Sequence, residues 1–167
     1  MVSAMQRSAM MSIAQFLIDN HDHINYAETR GPNDPMSLRG GTLADLERIF
    51  RNGGKISMDC SEAVTLICRL AGLRDPNGAG YDGYGYTGTL YDHLPHYGNV
   101  LDAHDGAIMI FGINPTVHAV MRMSSPDGKN PWLFSHGSQG GPRHIQLSDE
   151  EQAHVGQAQT WLDIGHL

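Results

Sequence analysis

The chain has 167 residues, a hydrophobic fraction of 40% and a net charge of −7, which are values expected of one globular domain over residues 1–167. Its 11 Lys and Arg residues form no cluster, which excludes a phosphate-binding nucleic-acid surface and electrostatic capture by an anionic membrane. No apolar run approaches the ~18–20 residues of a membrane-spanning helix.

The N-terminal region, residues 1–25, is predicted to contain a helix over about 12–24. Apolar residues recur there at helical spacing. The segment lacks a clean apolar stretch and an A-x-A cleavage site, so we predict no signal peptide and synthesis in the cytoplasm. The residues that define the apolar face are Ile13, Phe16, Leu17 and Ile24.

The next segment, TRGPNDPMSLRGG (29–41), carries two prolines and three glycines and is predicted to be a loop. Thr42 follows as an N-cap, with Asp45 at the capping-box position and Gly53 closing the helix. The predicted buried stripe of this helix consists of Leu43, Leu46 and Phe50.

The only two cysteines, Cys60 and Cys68, lie in a third predicted helix that Ser57 or Asp59 begins and Gly72 ends. Eight helical residues separate their Cα atoms by about 12 Å, whereas a disulfide needs less than about 7 Å. We therefore expect two free thiols, in keeping with a reducing compartment. Cys68 falls on the apolar stripe and is predicted to be a core residue.

Cys60 has two interpretations. At a helix start, a thiol faces the positive end of the helix dipole and unpaired N–H groups, which favour the reactive thiolate and can receive an oxyanion. The alternative is a small buried residue without chemistry, as free cysteines usually are.

A long Gly/Tyr loop (74–89) precedes a change to strand-like patterns. GAIMIFGI, VHAVMRM, WLFSHG and PRHIQL are predicted to be consecutive antiparallel strands, because short β-type runs alternate with turn signals. The C-terminal segment 148–167 is predicted to form a short helix, capped by Ser148 with Glu151, and a last strand, QTWLDI. Helices followed by strands predict an α+β fold.

Two histidines lie on neighbouring predicted strands, His118 in VHAVMRM and His136 in WLFSHG. Adjacent antiparallel strands can bring such residues side by side. Each histidine alone is typical of a structural residue. In combination with the thiol of Cys60 they favour a catalytic site, since a cysteine nucleophile needs a base and the base needs an orienting group.

These segments resemble the NlpC/P60 cysteine peptidases. MDCSEAVTLICRLAG resembles their D-C-S-G-F-V segment, DAHDGAIMIFG their P-G-D-L-V-F-F strand, and VHAVMRM their H-V-G-I-Y strand. DPNGAGYDGYGYTGTL and SHGSQGGP resemble small NlpC/P60-like proteins of actinobacterial phages. The resemblance extends from about Tyr26 to Leu147. It implies a papain-like α+β fold, with the nucleophile on a helix start packed on an antiparallel sheet, and cleavage of peptide bonds in peptidoglycan stems.

The resemblance also implies roles for individual residues. Cys60 is the nucleophile that forms a thioester, His118 the general base, and His136 the polar residue that orients the base. No metal or organic cofactor is implied. The residues expected near the oxyanion or the substrate are Tyr26, Asp59, Ser61, Tyr84 and Tyr86.

The implied partners are the peptidoglycan stem peptide and other proteins of a phage tail. The enzyme would be made in the host cytoplasm and act at the cell wall, either carried by the virion or released through a holin as a lysis enzyme.

The chain departs from the family at Glu62 and Ala63, where the family has Gly and an aromatic residue. A carboxylate near the thiol would raise the thiol pKa unless it points away. Segment 31–54 resembles an insertion.

Three alternatives remain open at this point. An amidase or acyl transferase would use the same three residues. A phage tail component would keep the fold chiefly as a scaffold. A zinc hydrolase would use the histidine pairs of HDH (21–23) and DHLPH (92–96), although solvated polar positions are the more ordinary interpretation of those pairs.

Overall fold

The computed structural model of the chain combines helices with an antiparallel sheet. The residues it describes are 1–29, 41–97, 102–113, 115, 117–124, 130–138 and 140–167. The helices are Ala4–Asp19 (α1), Leu43–Arg51 (α2), Cys60–Leu70 (α3), Thr87–His93 (α4) and Leu147–Ala153 (α5), with a 3-10 helix at His21–His23. The strands are Ile24–Tyr26 (β1), Ile56–Met58 (β2), His96–Tyr97 (β3), Ile108–Phe111 (β4), His118–Arg122 (β5), Trp132–Ser135 (β6), Arg143–Gln146 (β7) and Gln159–Leu162 (β8).

Six of the described strands form one sheet in the order β3-β8-β4-β5-β6-β7. All of its pairings are antiparallel, with Ile110 opposite Ala119 and Met121 opposite Phe134. The α+β class and the consecutive antiparallel strands β4 to β7 are therefore confirmed. The last strand, β8, pairs with β4 and β3 rather than with β7. A separate parallel pair joins β1 to β2, with Tyr26 opposite Met58.

The hydrophobic core lies on both faces of the sheet. Because successive strand residues point to opposite faces, β4 buries Ile108 and Ile110 on the face that carries α1 and α3, and Met109 and Phe111 on the other. Burial on two sides explains why this strand has a continuous apolar run instead of an alternating pattern. No helix among the described residues has both the length and the apolar character needed to cross a membrane.

The predicted bounds of the first helix, 12–24, were wrong. The helix runs from Ala4 to Asp19, because Ser3 and Gln6 form a capping box at its start. The Ser3 side chain accepts the Gln6 N–H at 3.1 Å, and the Gln6 side chain accepts the Ser3 N–H at 3.0 Å. Ile24, assigned to the helix, lies in β1.

The other helix ends were predicted with mixed success. Thr42 accepts the Asp45 N–H and Asp59 caps α3, both as expected. The predicted cap of the last helix was wrong. The helix begins at Leu147, and Ser148 instead bonds through its backbone N–H and hydroxyl to the Asn130 side chain. Most of the predicted loop 29–41, and residues 31–40 of segment 31–54, lie outside the described residues.

Candidate active site

The thiol of Cys60 lies at the first residue of α3, where Asp59 is the N-cap. The Asp59 carboxylate accepts the Glu62 N–H at 2.8 Å, and the Asp59 carbonyl accepts the Ala63 N–H at 3.0 Å. The N–H groups of Cys60 and Ser61 have no acceptor within the helix, as is usual for a first turn. They are therefore the backbone donors available beside the thiol.

Cys60 is 4% exposed, and its sulfur lies 3.9 Å from the Thr87 hydroxyl at the start of α4. Two further side chains, His118 and Tyr26, lie near enough to the thiol for Cys60 to raise their pKa values. Cys68 is different: it is fully buried, and burial raises its thiol pKa to about 12. Both cysteines are free thiols. Cys60 is the cysteine whose surroundings suit nucleophilic chemistry.

His118 begins β5 and is buried. Its Nε2 lies 3.1 Å from Glu150 Oε1 and 3.1 Å from the Ser135 hydroxyl, which leaves Nδ1 as the ring nitrogen available to other groups. Burial alone would lower the pKa of His118, but hydrogen bonds to Cys60 and then Glu150, together with their charges, raise this pKa to about 9. The imidazole is therefore held in its charged form beside the thiol at neutral pH.

Glu150 is the acidic residue that sequence reasoning missed. It lies in the first turn of α5 and is 3% exposed. Burial tends to raise its pKa, but the hydrogen bond and charge of His118, with the charges of His154 and Arg143, hold the pKa below its usual value. In the sequence, Glu150 stands between Asp149 and Glu151, and no local signal separates the inward carboxylate from its neighbours.

His136 lies in different surroundings from His118. Its Nε2 contacts the Met58 carbonyl at 2.9 Å, and the ring is fully buried, which lowers its pKa. Met121 pairs with Phe134, and continuing this register places His136 opposite Ala119, on the face away from His118. The side chains that contact Nε2 of His118 are those of Glu150 and Ser135.

Tyr26 ends β1, and the structure places it beside Cys60 as well as edge-on to the ring of His136, at 5.3 Å between centroids. Its pKa is raised to about 12, mainly by burial and then by the charges of Cys60 and Asp59. The phenol therefore stays protonated at neutral pH and can donate a hydrogen bond toward the reacting atoms.

The remaining predicted residues lie in different places. Ser61 donates its hydroxyl to the Asp59 carboxylate at 2.7 Å, so both side chains serve the helix cap. Tyr84 and Tyr86 are 57% and 50% exposed, and neither lines the cavity at His118. Thr87, which follows Tyr86, contacts the thiol of Cys60.

Glu62, the departure from the family pattern, is directed to the helix cap and to Thr29. Its carboxylate accepts the Asp59 N–H at 2.7 Å and the Thr29 hydroxyl at 3.0 Å. Burial raises its pKa to about 7, although these hydrogen bonds act in the opposite sense. The side chain is thus occupied in the capping box of α3.

A cavity of about 170 Å³ opens on the side of His118 that faces α5. Its floor is the His118–Glu150 pair, and Arg143 contributes a positive charge. The residues that line it are Tyr26, Val117, His118, Gly137, Ser138, Arg143, Glu150, Ala153 and His154.

The histidine pairs considered for zinc do not converge in the part of the chain that the structure describes. His23 Nδ1 bonds the Gly54 carbonyl at 2.8 Å, and His96 stacks on Tyr91. The group of potential metal ligands found among the described residues is a different one: His118, Glu150 and His154.

Comparisons with known proteins do not supply a relative: no protein-family model, curated protein or solved structure matches the chain. The chemistry of the site must therefore be inferred from its own contacts. A nucleophile at a helix start, a buried charged imidazole and a buried carboxylate are the parts of a thiol-dependent acyl-transfer site.

Proposed function

We propose that the chain is a cysteine hydrolase whose catalytic residues are Cys60, His118 and Glu150. The observation that carries this proposal is that the buried His118, whose pKa is raised by its interaction with Cys60, places Nε2 3.1 Å from the buried Glu150 carboxylate. Nucleophile, base and orienting group in contact are the features by which such sites are recognised, whatever their order in the chain. We further propose the papain-like NlpC/P60 arrangement, which the sequence resemblance supports.

The reaction begins with a thiolate–imidazolium pair. The Cys60 sulfur attacks the scissile carbonyl carbon, and the oxyanion accepts hydrogen bonds from the N–H groups of Cys60 and Ser61 and from the Tyr26 phenol. His118 gives its proton to the leaving amine as the C–N bond breaks, which leaves a thioester. Water then attacks the thioester while His118 takes its proton, and the carboxylic acid leaves as the thiolate re-forms.

Glu150 acts on the imidazole and not on the substrate. Its carboxylate holds the His118 ring in one orientation and stabilises the positive charge that the ring carries in the resting pair and after proton uptake. The Ser135 hydroxyl, 3.1 Å from the same nitrogen and 3.4 Å from the same carboxylate, supports this geometry.

The proposed substrate is the peptide stem of bacterial peptidoglycan, and the proposed setting is a phage enzyme carried in the tail or used for lysis. The resemblance of the segments around Cys60 and His118 to NlpC/P60 peptidases supports both the proposed substrate and the proposed phage setting. The test is digestion of purified peptidoglycan with the wild type and Cys60→Ala, followed by mass spectrometry. We expect new amino and carboxyl ends within the stem for the wild type alone.

The same digestion separates the alternatives. An amidase would release whole stems from the sugar, and an acyl transferase would give products joined to an added amine. A scaffold role in a phage tail would leave the peptidoglycan intact with both proteins. Cleavage that survives in Cys60→Ala would contradict the thiol mechanism itself.

A further inference from the structure

On the side of His118 away from the thiol, three potential metal ligands meet. Glu150 Oε1 lies 3.1 Å from His118 Nε2 and 3.4 Å from His154 Nε2. One ligand atom from each residue lies within 4.8 Å of the others. Glu150 lies in the first turn of α5 and His154 is its C-cap, four residues later, so their side chains project on the same side.

The three side chains are buried and held in place. Their exposed fractions are 9% for His118, 4% for Glu150 and 17% for His154. The rings of His118 and His154 stack at 5.2 Å, and His154 also stacks on Phe111 at 5.0 Å. Packing against these two rings limits the rotation of the His154 ring, which reduces the cost of ordering it around a ligand.

Gln157 sets the tautomer of His154. Its side-chain oxygen lies 3.0 Å from His154 Nδ1, so Nδ1 carries the hydrogen and donates it. Nε2 is then the nitrogen directed toward the Glu150 carboxylate, at 3.4 Å. A metal ion bound there would take the place of the proton that otherwise joins the two groups. A histidine oriented by an acceptor on its other nitrogen is the usual state of a metal-binding histidine.

We propose that His118, Glu150 and His154 form a site for a divalent transition metal ion, best matched by zinc. Two imidazole nitrogens and one carboxylate oxygen are a common zinc ligand set, with a fourth position left for water. The cavity of about 170 Å³ that these residues line provides room for that water. Arg143 lines the same cavity and its charge opposes the metal, so we expect moderate affinity.

The consequence for catalysis rests on the proposed function. Zinc on Nε2 of His118 would displace the proton that this nitrogen donates to Glu150, release it to solvent and leave a hydrogen on Nδ1. Releasing that second proton would create an imidazolate. The ring could then no longer accept and return a proton for Cys60, and Glu150 would be withdrawn from its orienting role. Metal binding and hydrolysis are mutually exclusive in this scheme, so zinc acts as a reversible inhibitor.

The binding test uses the full chain, freed of metal with EDTA and titrated with ZnCl₂ against a chromophoric zinc chelator. We expect one zinc per chain, and an affinity lowered by about tenfold or more in His154→Ala, which removes a ligand. Gln157→Ala should weaken binding less, because it removes only the orienting hydrogen bond. His21→Ala is the matched control: it deletes an exposed histidine that also contacts a carboxylate, Asp22 at 3.3 Å, and should bind like the wild type.

Circular dichroism of each variant establishes folding. If His154→Ala does not fold, His154→Leu, which keeps an apolar body against Phe111, takes its place. Absence of zinc binding by the wild type, or wild-type affinity in the folded His154 variant, would overturn the site. Cys60→Ala should bind zinc with an affinity within about twofold of the wild type, since the thiol is not a ligand in the proposed site. A tenfold loss of zinc affinity in this variant would show that the thiol binds the metal and would overturn the assignment.

Inhibition is measured separately. Saturating ZnCl₂ should lower peptidoglycan turnover at least tenfold, with recovery on adding EDTA. Activation by zinc would overturn mutual exclusion and indicate a metal hydrolase. A protein that binds zinc through these residues but never cleaves peptidoglycan would refute the proposed function and leave the metal site standing.

Discussion

The carboxylate of Glu150 lies 3.1 Å from Nε2 of His118, and it comes from helix α5 instead of from the strand beside His118. On the basis of this contact we propose that Glu150 orients the His118 imidazole, a role that the strand pattern in the sequence did not indicate. The contact also separates two histidines that look equivalent in the sequence. His118 contacts the carboxylate on the sheet face that carries α5, whereas His136 is buried against Met58 on the face that carries α3.

Replacing the nucleophile should abolish turnover without unfolding the protein. Cys60→Ala removes the sulfur that forms the thioester and leaves only a small gap beside Thr87. The measurement is product formation from peptidoglycan, with circular dichroism as the folding control. Cys68→Ala is the matched variant, since it removes the other thiol, and it should retain catalysis.

Thiol labelling of the native protein should distinguish the two cysteines. Iodoacetamide should modify Cys60 first, because Cys68 is fully buried and its pKa is raised to about 12. Mass mapping of the labelled peptides provides the readout. Faster labelling of Cys68 than of Cys60 would contradict these assignments.

Glu150→Gln should lower kcat/KM by roughly 10²–10⁴-fold, because the amide cannot stabilise the charged imidazole. His136→Asn should retain much more of the rate, because the hydrogen bond of His136 Nε2 is to the Met58 carbonyl. The substitution should instead lower the stability of the fold. The assay is kcat/KM on one defined stem peptide, combined with urea unfolding of both variants. Equal loss of rate in the two folded variants would argue against Glu150 as the orienting residue.

Tyr26→Phe should lower kcat more than it changes KM, since the phenol is assigned to the oxyanion and gains importance in the transition state. One oxyanion donor contributes about 10²–10³-fold in well-ordered sites. Tyr26 is 39% exposed, so we expect a loss of about tenfold to a hundredfold. Tyr84→Phe, at an exposed position outside the cavity, is the control. A change confined to KM would assign Tyr26 to substrate binding.

Stability should depend on pH through Glu62. Its pKa is raised from 4.5 to about 7 in the folded chain, so between these values the folded state binds more protons than the unfolded state. The free energy of unfolding should therefore fall as pH rises from about 4.5 to 7, relative to Glu62→Gln, and change no further above that range. Gln can keep the capping box with Asp59.

Urea unfolding of the wild type and Glu62→Gln at pH 5 and pH 8 provides the measurement. We expect the difference between the two proteins to shift in favour of the variant at the higher pH. A difference that is the same at both values would mean that Glu62 has an ordinary pKa in the folded state.

Local chemistry was sufficient to predict much of the fold. Capping boxes at Thr42 and Asp59 require only a side chain and a backbone N–H three residues away, so the starts of α2 and α3 could be predicted from neighbouring residues. The strands β4 to β7 followed in the same way from short apolar runs and turn residues between them. The placement of a thiol at the start of α3 was a consequence of the same local rule.

The partners of that thiol and of its histidine depended on long-range packing. The register between β5 and β6 decides that Ser135, and not His136, shares the face of His118, and a shift of one residue would exchange them. The docking of α5 against the sheet decides which of three successive acidic residues, Asp149, Glu150 or Glu151, becomes buried. Neither choice is encoded in a local pattern, because each depends on free energy gained only when distant segments exclude water together.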